Sequence, residues 1–168
     1  MSVRHQLSDN FYLDEFTRSD VAARHGIEIH VEPGSEIYDN LSRLCVELLQ
    51  PLRDTFGPIH VLSGYRPPRV NKLVGGADKS AHLYGRAADV YSPDVPPLVL
   101  AKFVARNMFR YDQVIHEFGR WAHLAVSPIG VLPRYETLTS FKSAGKVRKR
   151  TVYVAGLYPI DEAMGKAA

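Results

Sequence analysis

Apolar residues in the first third of the chain recur at helical spacing. Between Ser35 and Phe56 they form a single stripe, which predicts a long amphipathic helix. Its members are Ile37, Leu41, Leu44, Cys45, Leu48, Leu49, Leu52 and Phe56. Pro51 falls inside the stripe, so we expect a kink or a separate last turn there. A shorter helix is predicted from Asp20 to His25, with Ser19 as its N-cap and Gly26 as its end.

From residue 59 onward the apolar spacing shifts towards alternation, which predicts strands. The expected strands are 59–63, 86–91, 113–118, 121–126, 135–141 and 151–158. A helix from 97 to 108 or 109 interrupts them, and residues 67–81 are predicted as a long loop with one helical turn. Gly119 and Arg120 are expected to form a two-residue hairpin turn. Because helices come first and strands later, we predict an α+β single domain over 1–168, with an antiparallel sheet and helices packed on one side.

Composition narrows the class of protein. The chain has 168 residues, of which 45% are hydrophobic and 23% charged, as in an ordinary globular domain. Its apolar runs are too short for a transmembrane helix, and no secretory signal opens the chain, so we expect cytoplasmic synthesis without membrane insertion. The single cysteine, Cys45, excludes an intrachain disulfide and is interpreted as a small core residue.

The C-terminal part carries a cluster of positive charge. Residues 142–150 are rich in Lys and Arg, and we interpret them as a solvated hairpin loop between the two strands of the 135–158 pair. Binding of anionic wall polymer, phospholipid or nucleic acid is the alternative. The net charge of +3 is compatible with an anionic partner but does not by itself indicate one. Aromatic residues do not alternate with this basic run, so we expect no nucleic-acid partner. The C-terminal tail, residues 162–168, is expected to be frayed.

Three of the seven histidines, His82, His116 and His123, lie near acidic residues and glycines. His82 precedes Asp89 by seven positions, and Gly85 between them permits a sharp change of chain direction. A neutral imidazole and a carboxylate suit Zn²⁺, and a third nitrogen ligand would complete a catalytic site with one open position. By itself the pair is weak evidence, because polar surface residues show this spacing by chance.

The sequence around this pair resembles a known family. Residues 80–89 read S-A-H-L-Y-G-R-A-A-D, which is similar to the S-x-H-x-x-G-x-A-x-D signature of the M15 zinc peptidases. Residues 63–66 resemble the family's S-G-Y-R, and residues 121–123 resemble its W-x-H. The resemblance covers about residues 8–127 and is strongest for the phage and prophage branch. It implies a fold like that of the DD-peptidases and hedgehog proteins.

The resemblance also implies the metal site. Its motifs assign one Zn²⁺ per chain to His82, Asp89 and His123, which would leave a fourth position open for water. Arg66 of the S-G-Y-R motif would pair with a substrate carboxylate or with the developing oxyanion. A structural salt bridge is the alternative role for Arg66.

Other motif residues are expected around the metal. Ser80 would support the metal site by hydrogen bonding, and Tyr65 and Trp121 are expected to bind substrate or support the site. The motifs do not identify the general base directly, because Arg120 occupies the position where many relatives have an acidic residue. Glu117 is the nearest acid and is predicted to be the base.

The geometry of the hairpin decides between two candidates. A strict two-residue turn would direct His116 towards His123 and Glu117 to the opposite face of the hairpin. A bulge or a three-residue loop would return Glu117 to the metal face. His116 therefore stays a candidate ligand, supporting residue or transition-state donor.

Taken together, the motifs imply a monomeric zinc peptidase that cleaves peptide stems of bacterial peptidoglycan. The bond cut is either D-Ala-D-Ala, by a carboxypeptidase, or an internal bond, by an endolysin-type endopeptidase. The implied setting is a phage or prophage enzyme that reaches the cell wall after release. One alternative is a virion-associated or wall-binding module that keeps the fold without turnover, and a nucleic-acid-binding protein is the other.

Overall fold

The first half of the chain is mainly helical and the second half mainly extended in the computed structural model, which describes residues 4–108, 110–144 and 149–167. The α-helices are α1 (Leu13–Thr17), α2 (Asp20–Arg24), α3 (Glu36–Leu44), α4 (Gln50–Phe56), α5 (Pro68–Leu73), α6 (Pro97–Asn107) and α7 (Ile160–Lys166). The strands are β1 (Gln6–Ser8), β2 (Phe11–Tyr12), β3 (His60–Ser63), β4 (Ala87–Tyr91), β5 (Tyr111–Glu117), β6 (Trp121–Val126), β7 (Glu136–Lys142) and β8 (Thr151–Ala155).

The long helix predicted from the apolar stripe is present, with an irregular centre. A π-helical stretch, Cys45–Leu49, joins α3 to α4, and Pro51 occupies the first turn of α4. Proline has no N–H to continue the regular pattern, which gives a physical reason for the wider turn before it. Ser35 caps α3 by accepting a hydrogen bond from the backbone of Tyr38 at 3.3 Å. Cys45 is fully buried and burial raises its pKa well above the usual value, which confirms its interpretation as a core residue.

Six strands form the main sheet in the order β3-β4-β6-β5-β7-β8. Every neighbouring pair is antiparallel except β5 and β7, which are parallel. The α+β prediction is therefore confirmed, with one parallel pair in a mostly antiparallel sheet. The parallel pair arises because β6 ends beside the start of β5, where Val126 pairs with Tyr111, and residues 127–135 lead to the other side of β5 at the same end of the sheet.

The two faces of the sheet have different roles. Side chains on one face pack with α3, the π-helical stretch and α6 into the hydrophobic core, and they include Ala88, Val90, Val114, Ala122 and Leu124. Since successive side chains alternate between faces, the intervening residues of β4, β5 and β6 point to the other side. That second face carries the polar residues singled out by the sequence motifs.

The C-terminal segment differs from its prediction in two respects. The last strand ends at Ala155 instead of residue 158, and the tail expected to be frayed forms α7. The frayed-tail prediction was wrong because α7 packs on β7 and fully buries Ala163. The described residues of the 142–150 loop are exposed except for the half-buried Ser143, while residues 145–148 lie outside the described residues. Within the described ranges, no helix has the length and apolar character needed to cross a membrane.

The close approach of Gly64 to α1 gives a test of the fold. A Cβ atom at Gly64 would lie 2.6 Å from the Cα atom of Phe16. We therefore expect Gly64→Ala to lower the free energy of unfolding by about 1–3 kcal/mol, as other overpacking changes do. Urea denaturation measures the change. Gly165→Ala is the control, because its added methyl group meets open space, and equal stability of the two variants would contradict this account.

Candidate active site

Three buried side chains converge on the polar face of the sheet. His82 lies in a 3₁₀ helix, Ala81–Tyr84, whereas Asp89 lies on β4 and is paired in register with His123 on β6. Asp89 Oδ1 is 2.9 Å from His123 Nδ1 and 3.2 Å from His82 Nε2, and the two imidazole nitrogens are 3.2 Å apart. The structure thus brings together the three predicted metal ligands.

Local backbone geometry fixes the orientation of His82. Gly85 ends the 3₁₀ helix with a left-handed conformation at φ 66°, which glycine adopts readily and which allows β4 to start two residues later. His82 Nδ1 donates a hydrogen bond to the carbonyl oxygen of Gly64 at 2.7 Å. Since a carbonyl only accepts, the proton must be on Nδ1, and Nε2 presents a lone pair to the cluster.

The donor set fits a bound cation. The lone pair of His82 Nε2 faces an oxygen of Asp89, and two acceptors at 3.2 Å repel unless a proton or a cation lies between them. Burial lowers the pKa of His82, although Asp89 opposes the shift, so the imidazole is in the neutral form that binds metals. Burial alone would raise the pKa of Asp89, but its contacts with His82 and His123 hold it well below the usual value. Two imidazole nitrogens and one carboxylate are ligands that zinc accepts.

Arg66 is attached to the same cluster. Its Nη2 atom donates to Asp89 Oδ2, and its Nε atom donates to Ser63 Oγ at 2.8 Å. Asp89 therefore has one oxygen directed to the histidines and the other held by the guanidinium. This contact corresponds to the salt-bridge role considered for Arg66, while its predicted contact with substrate stays a prediction. The side chain still lines the cleft and is 18% exposed.

The hairpin between β5 and β6 decides the position of the expected base. Its loop has three residues, 118–120, instead of the predicted two, and Phe118 and Gly119 both have positive φ angles, of 55° and 70°. Glu117 consequently pairs with Trp121, while Ile115 pairs with His123. Directly paired residues of an antiparallel ladder share a face, so Glu117 lies on the metal face as a diagonal neighbour of His123.

The environment of Glu117 raises the pKa of its carboxyl group above the usual value. Burial, followed by the charge of Asp89, raises the pKa of Glu117, whereas His123, Trp121 and Arg66 act in the opposite direction. Trp121 Nε1 donates to Glu117 Oε2 at 2.9 Å and holds the carboxyl group in place. A carboxyl group whose pKa moves towards neutrality is suited to both accepting and donating a proton.

His116 is not brought to the cluster. It lies on the opposite face of β5, is 4% exposed, and donates from Nδ1 to the carbonyl oxygen of Tyr158 at 2.9 Å. The three-residue loop is the physical reason, because it shifts the alternation by one residue relative to a two-residue turn. The structure therefore does not support the alternative role of His116 as a ligand or donor at this site.

Of the remaining predicted site residues, two line the cleft and one packs against the hydrophobic core. Ser80 and Trp121 line the same cleft as the metal cluster. Tyr65 instead packs against the hydrophobic core, and its backbone N–H donates to Phe16, so the structure does not bring its side chain to the cleft.

The cleft also contains residues that the motifs did not indicate. It has a volume of about 1650 Å³ and is lined on its outer side by Lys142, Thr151 and Tyr153 from β7 and β8. Alternation along β8 places Thr151 and Tyr153 on one face, but the sequence does not reveal which face of the sheet that is. Further positive side chains, Arg18, Arg24 and Lys79, line the cleft from the helical part.

An α+β fold with a buried His-Asp-His cluster and a nearby carboxyl group in an open cleft is typical of metal-dependent hydrolases. A family model described as peptidase M15 matches residues 9–125, which is more than half of the chain. The chain therefore belongs to the peptidase M15 family, and its general function is that of a peptidase. A sequence search of curated proteins gave no match.

The cluster predicts a specific pattern of metal binding. Purified protein should hold about one zinc ion per chain, and His82→Ala or His123→Ala should lose it, because three protein ligands are the minimum of an open zinc site. His116→Ala is the matched control and should keep the ion, because that ring lies on the other face. Elemental analysis of the folded variants measures the stoichiometry. Zinc retention in both His82→Ala and His123→Ala would refute the assignment.

Because the pKa of Glu117 is raised, we expect its replacement by glutamine to increase the free energy of unfolding. The folded protein holds the Glu117 proton more tightly than the unfolded chain does, so the bound proton stabilises the fold. This contribution to stability is complete below the pKa of the unfolded chain and is lost as the pH rises through the pKa of the folded protein. Metal-free Glu117→Gln should therefore have a higher free energy of unfolding than wild type at neutral pH, with the difference vanishing in acid. Denaturation at several pH values tests this. The exposed Glu28→Gln should show no such pH-dependent gain.

Proposed function

We propose that the chain is a zinc-dependent peptidase that hydrolyses peptide bonds in the stems of bacterial peptidoglycan. The observation that carries the proposal is the position of Glu117 on the same face as His82, Asp89 and His123. A metal cluster alone could be structural, but a carboxyl group with a raised pKa beside it supplies the acid-base group that amide hydrolysis needs.

Each residue of the cluster has a separate role in this reaction. His82, Asp89 and His123 would hold the zinc ion, which when bound supplies Lewis acidity and lowers the pKa of a water molecule. Arg66 keeps the Asp89 carboxylate in one orientation through its contact with Oδ2. Gly64 does the same for His82 through its carbonyl group.

Glu117 is the group that moves protons. Its ionised carboxylate accepts a proton from the attacking water molecule and passes it to the nitrogen of the leaving amine. Trp121 holds Oε2 by a hydrogen bond, which leaves Oε1 as the oxygen for this transfer. The raised pKa of Glu117 makes the return of the proton easier than it is for an ordinary carboxylate.

The charge of the cleft supports an acidic substrate, and its volume of about 1650 Å³ leaves room for a peptide. Basic side chains outnumber acidic ones along the cleft, and two of the acids, Asp89 and Asp112, are already paired with Arg66 and Arg134. Peptidoglycan stems carry several free carboxylates, so the remaining cations complement them. Both a carboxypeptidase and an endopeptidase reaction fit this cleft. Action at the cell wall in a phage or prophage setting is proposed from the similarity of the motifs to endolysins.

Digestion of purified sacculi tests the proposed function. Zinc-loaded protein should release new peptide products, and mass spectrometry identifies the bond, since loss of a terminal D-Ala marks a carboxypeptidase and a shortened stem marks an endopeptidase. Glu117→Gln should bind zinc normally but lower turnover by roughly 10²- to 10⁴-fold, the usual contribution of a positioned acid-base group.

Glu28→Gln, far from the cluster in the chain and exposed, is the matched control and should retain full turnover. Full zinc occupancy with no product from sacculi would instead favour a wall-binding module that retains the fold. Normal turnover in Glu117→Gln would remove Glu117 from the reaction.

A further inference from the structure

A row of side chains crosses the sheet from the metal cluster to its outer edge. Glu117 on β5 is paired with Trp121 on β6 and, on its other side, with Ser140 on β7. Ser140 is in turn paired with Tyr153 on β8. Directly paired residues share a face, so all four side chains belong to the face that carries the metal cluster. Ser140 and Tyr153 lie beyond residues 9–125, the part of the chain that matches the family.

Tyr153 has a phenol group that is available for binding. It lines the cleft, is 53% exposed, and makes no hydrogen bond from its hydroxyl to any described residue. The carboxylates of Glu117 and Asp89 both interact electrostatically with it. The strands are spaced by about 4.8 Å, so a tyrosine two strands from Glu117 is long enough to extend over Ser140 towards the reacting groups.

Two of the donor side chains near the reaction site already have partners. Trp121 Nε1 donates to Glu117, and Arg66 uses Nε and Nη2 for Ser63 and Asp89. The phenol of Tyr153 is neutral, and burial followed by the two carboxylates raises its pKa, so it keeps the proton that a donor requires. The hydroxyl of Tyr153 is therefore a donor that can serve the substrate.

Ser140 provides a second observation at the same place. It is fully buried between Glu117 and Tyr153 in the row, and its hydroxyl oxygen has no hydrogen-bond partner among the described residues. A buried polar group without a partner costs free energy unless water or a ligand satisfies it. The row therefore contains an unsatisfied polar position next to the reaction site.

We propose that Tyr153 is a further substrate-binding residue, whose hydroxyl donates a hydrogen bond to a carbonyl oxygen of the bound peptide beside Glu117. The inference rests on the proposed peptidase function and extends it to the segment outside the family-matched region. The β7–β8 pair then acts as one wall of the substrate cleft. A donor that strengthens as negative charge develops on the carbonyl oxygen contributes mainly to turnover.

Removal of the hydroxyl alone tests the proposal. In zinc-loaded protein acting on a muropeptide with a pentapeptide stem, Tyr153→Phe should lower kcat/KM roughly 10- to 100-fold, with most of the loss in kcat. The control is Tyr91→Phe, on β4 and away from the cleft lining, which should match wild type. Equal zinc content and equal melting temperature of the two variants would exclude a structural cause.

A binding measurement separates this proposal from the proposed function. In the Glu117→Gln background, calorimetric titration with the same muropeptide should show weaker binding, by about threefold to tenfold, when Tyr153→Phe is added. Weaker binding without any wild-type hydrolysis would support the role of Tyr153 and reject the peptidase function. Wild-type hydrolysis with unchanged kinetics and binding in Tyr153→Phe would reject the role of Tyr153 alone. A muropeptide that is neither bound nor cleaved by wild type would overturn both.

Discussion

The pairing of β4 with β6 is the constraint on which the site depends. It sets Asp89 directly opposite His123. The turn at Gly85, before β4, places the side chain of His82 next to both of them. Asp89 and His123 are therefore held by the backbone hydrogen bonds of the sheet, and His82 by the short 3₁₀ helix that leads into it. Because the opposite face of these strands packs in the hydrophobic core, a slip of one residue would expose that core and bury the ligands in it. The stability of the core thus protects the strand register of the candidate metal site.

Much of this arrangement could be predicted from the sequence, since it depends on short-range patterns. His82, Gly85 and Asp89 lie within eight residues, and their spacing already indicates a turn that leads into a strand. The apolar stripe from Ile37 to Phe56 similarly predicted the long helix. In both cases the local pattern and the final packing require the same conformation, which is why the predictions were confirmed.

The parts that escaped prediction depend on tertiary packing. The loop after Glu117 includes Phe118 with a positive φ angle, which is rare for an aromatic residue, and its ring packs against Trp121 with centroids 5.4 Å apart. Local preferences favoured glycine as the first turn residue and therefore a shorter turn. The helix at 160–166 and the parallel alignment of β7 with β5 likewise depend on contacts between distant segments. The spacing of apolar residues along the sequence does not reveal such contacts.

The outer edge of the sheet has an evolutionary consequence. The candidate metal ligands and Glu117 all lie within residues 9–125, whereas β7 and β8 lie on the other side of β5 and come later in the chain. Substitutions in β7 and β8 can alter the wall of the cleft without replacing any of the candidate catalytic residues. A lineage can therefore change the shape and charge of the cleft wall through single substitutions along β7 and β8, while the candidate metal ligands and Glu117 keep their positions in the chain.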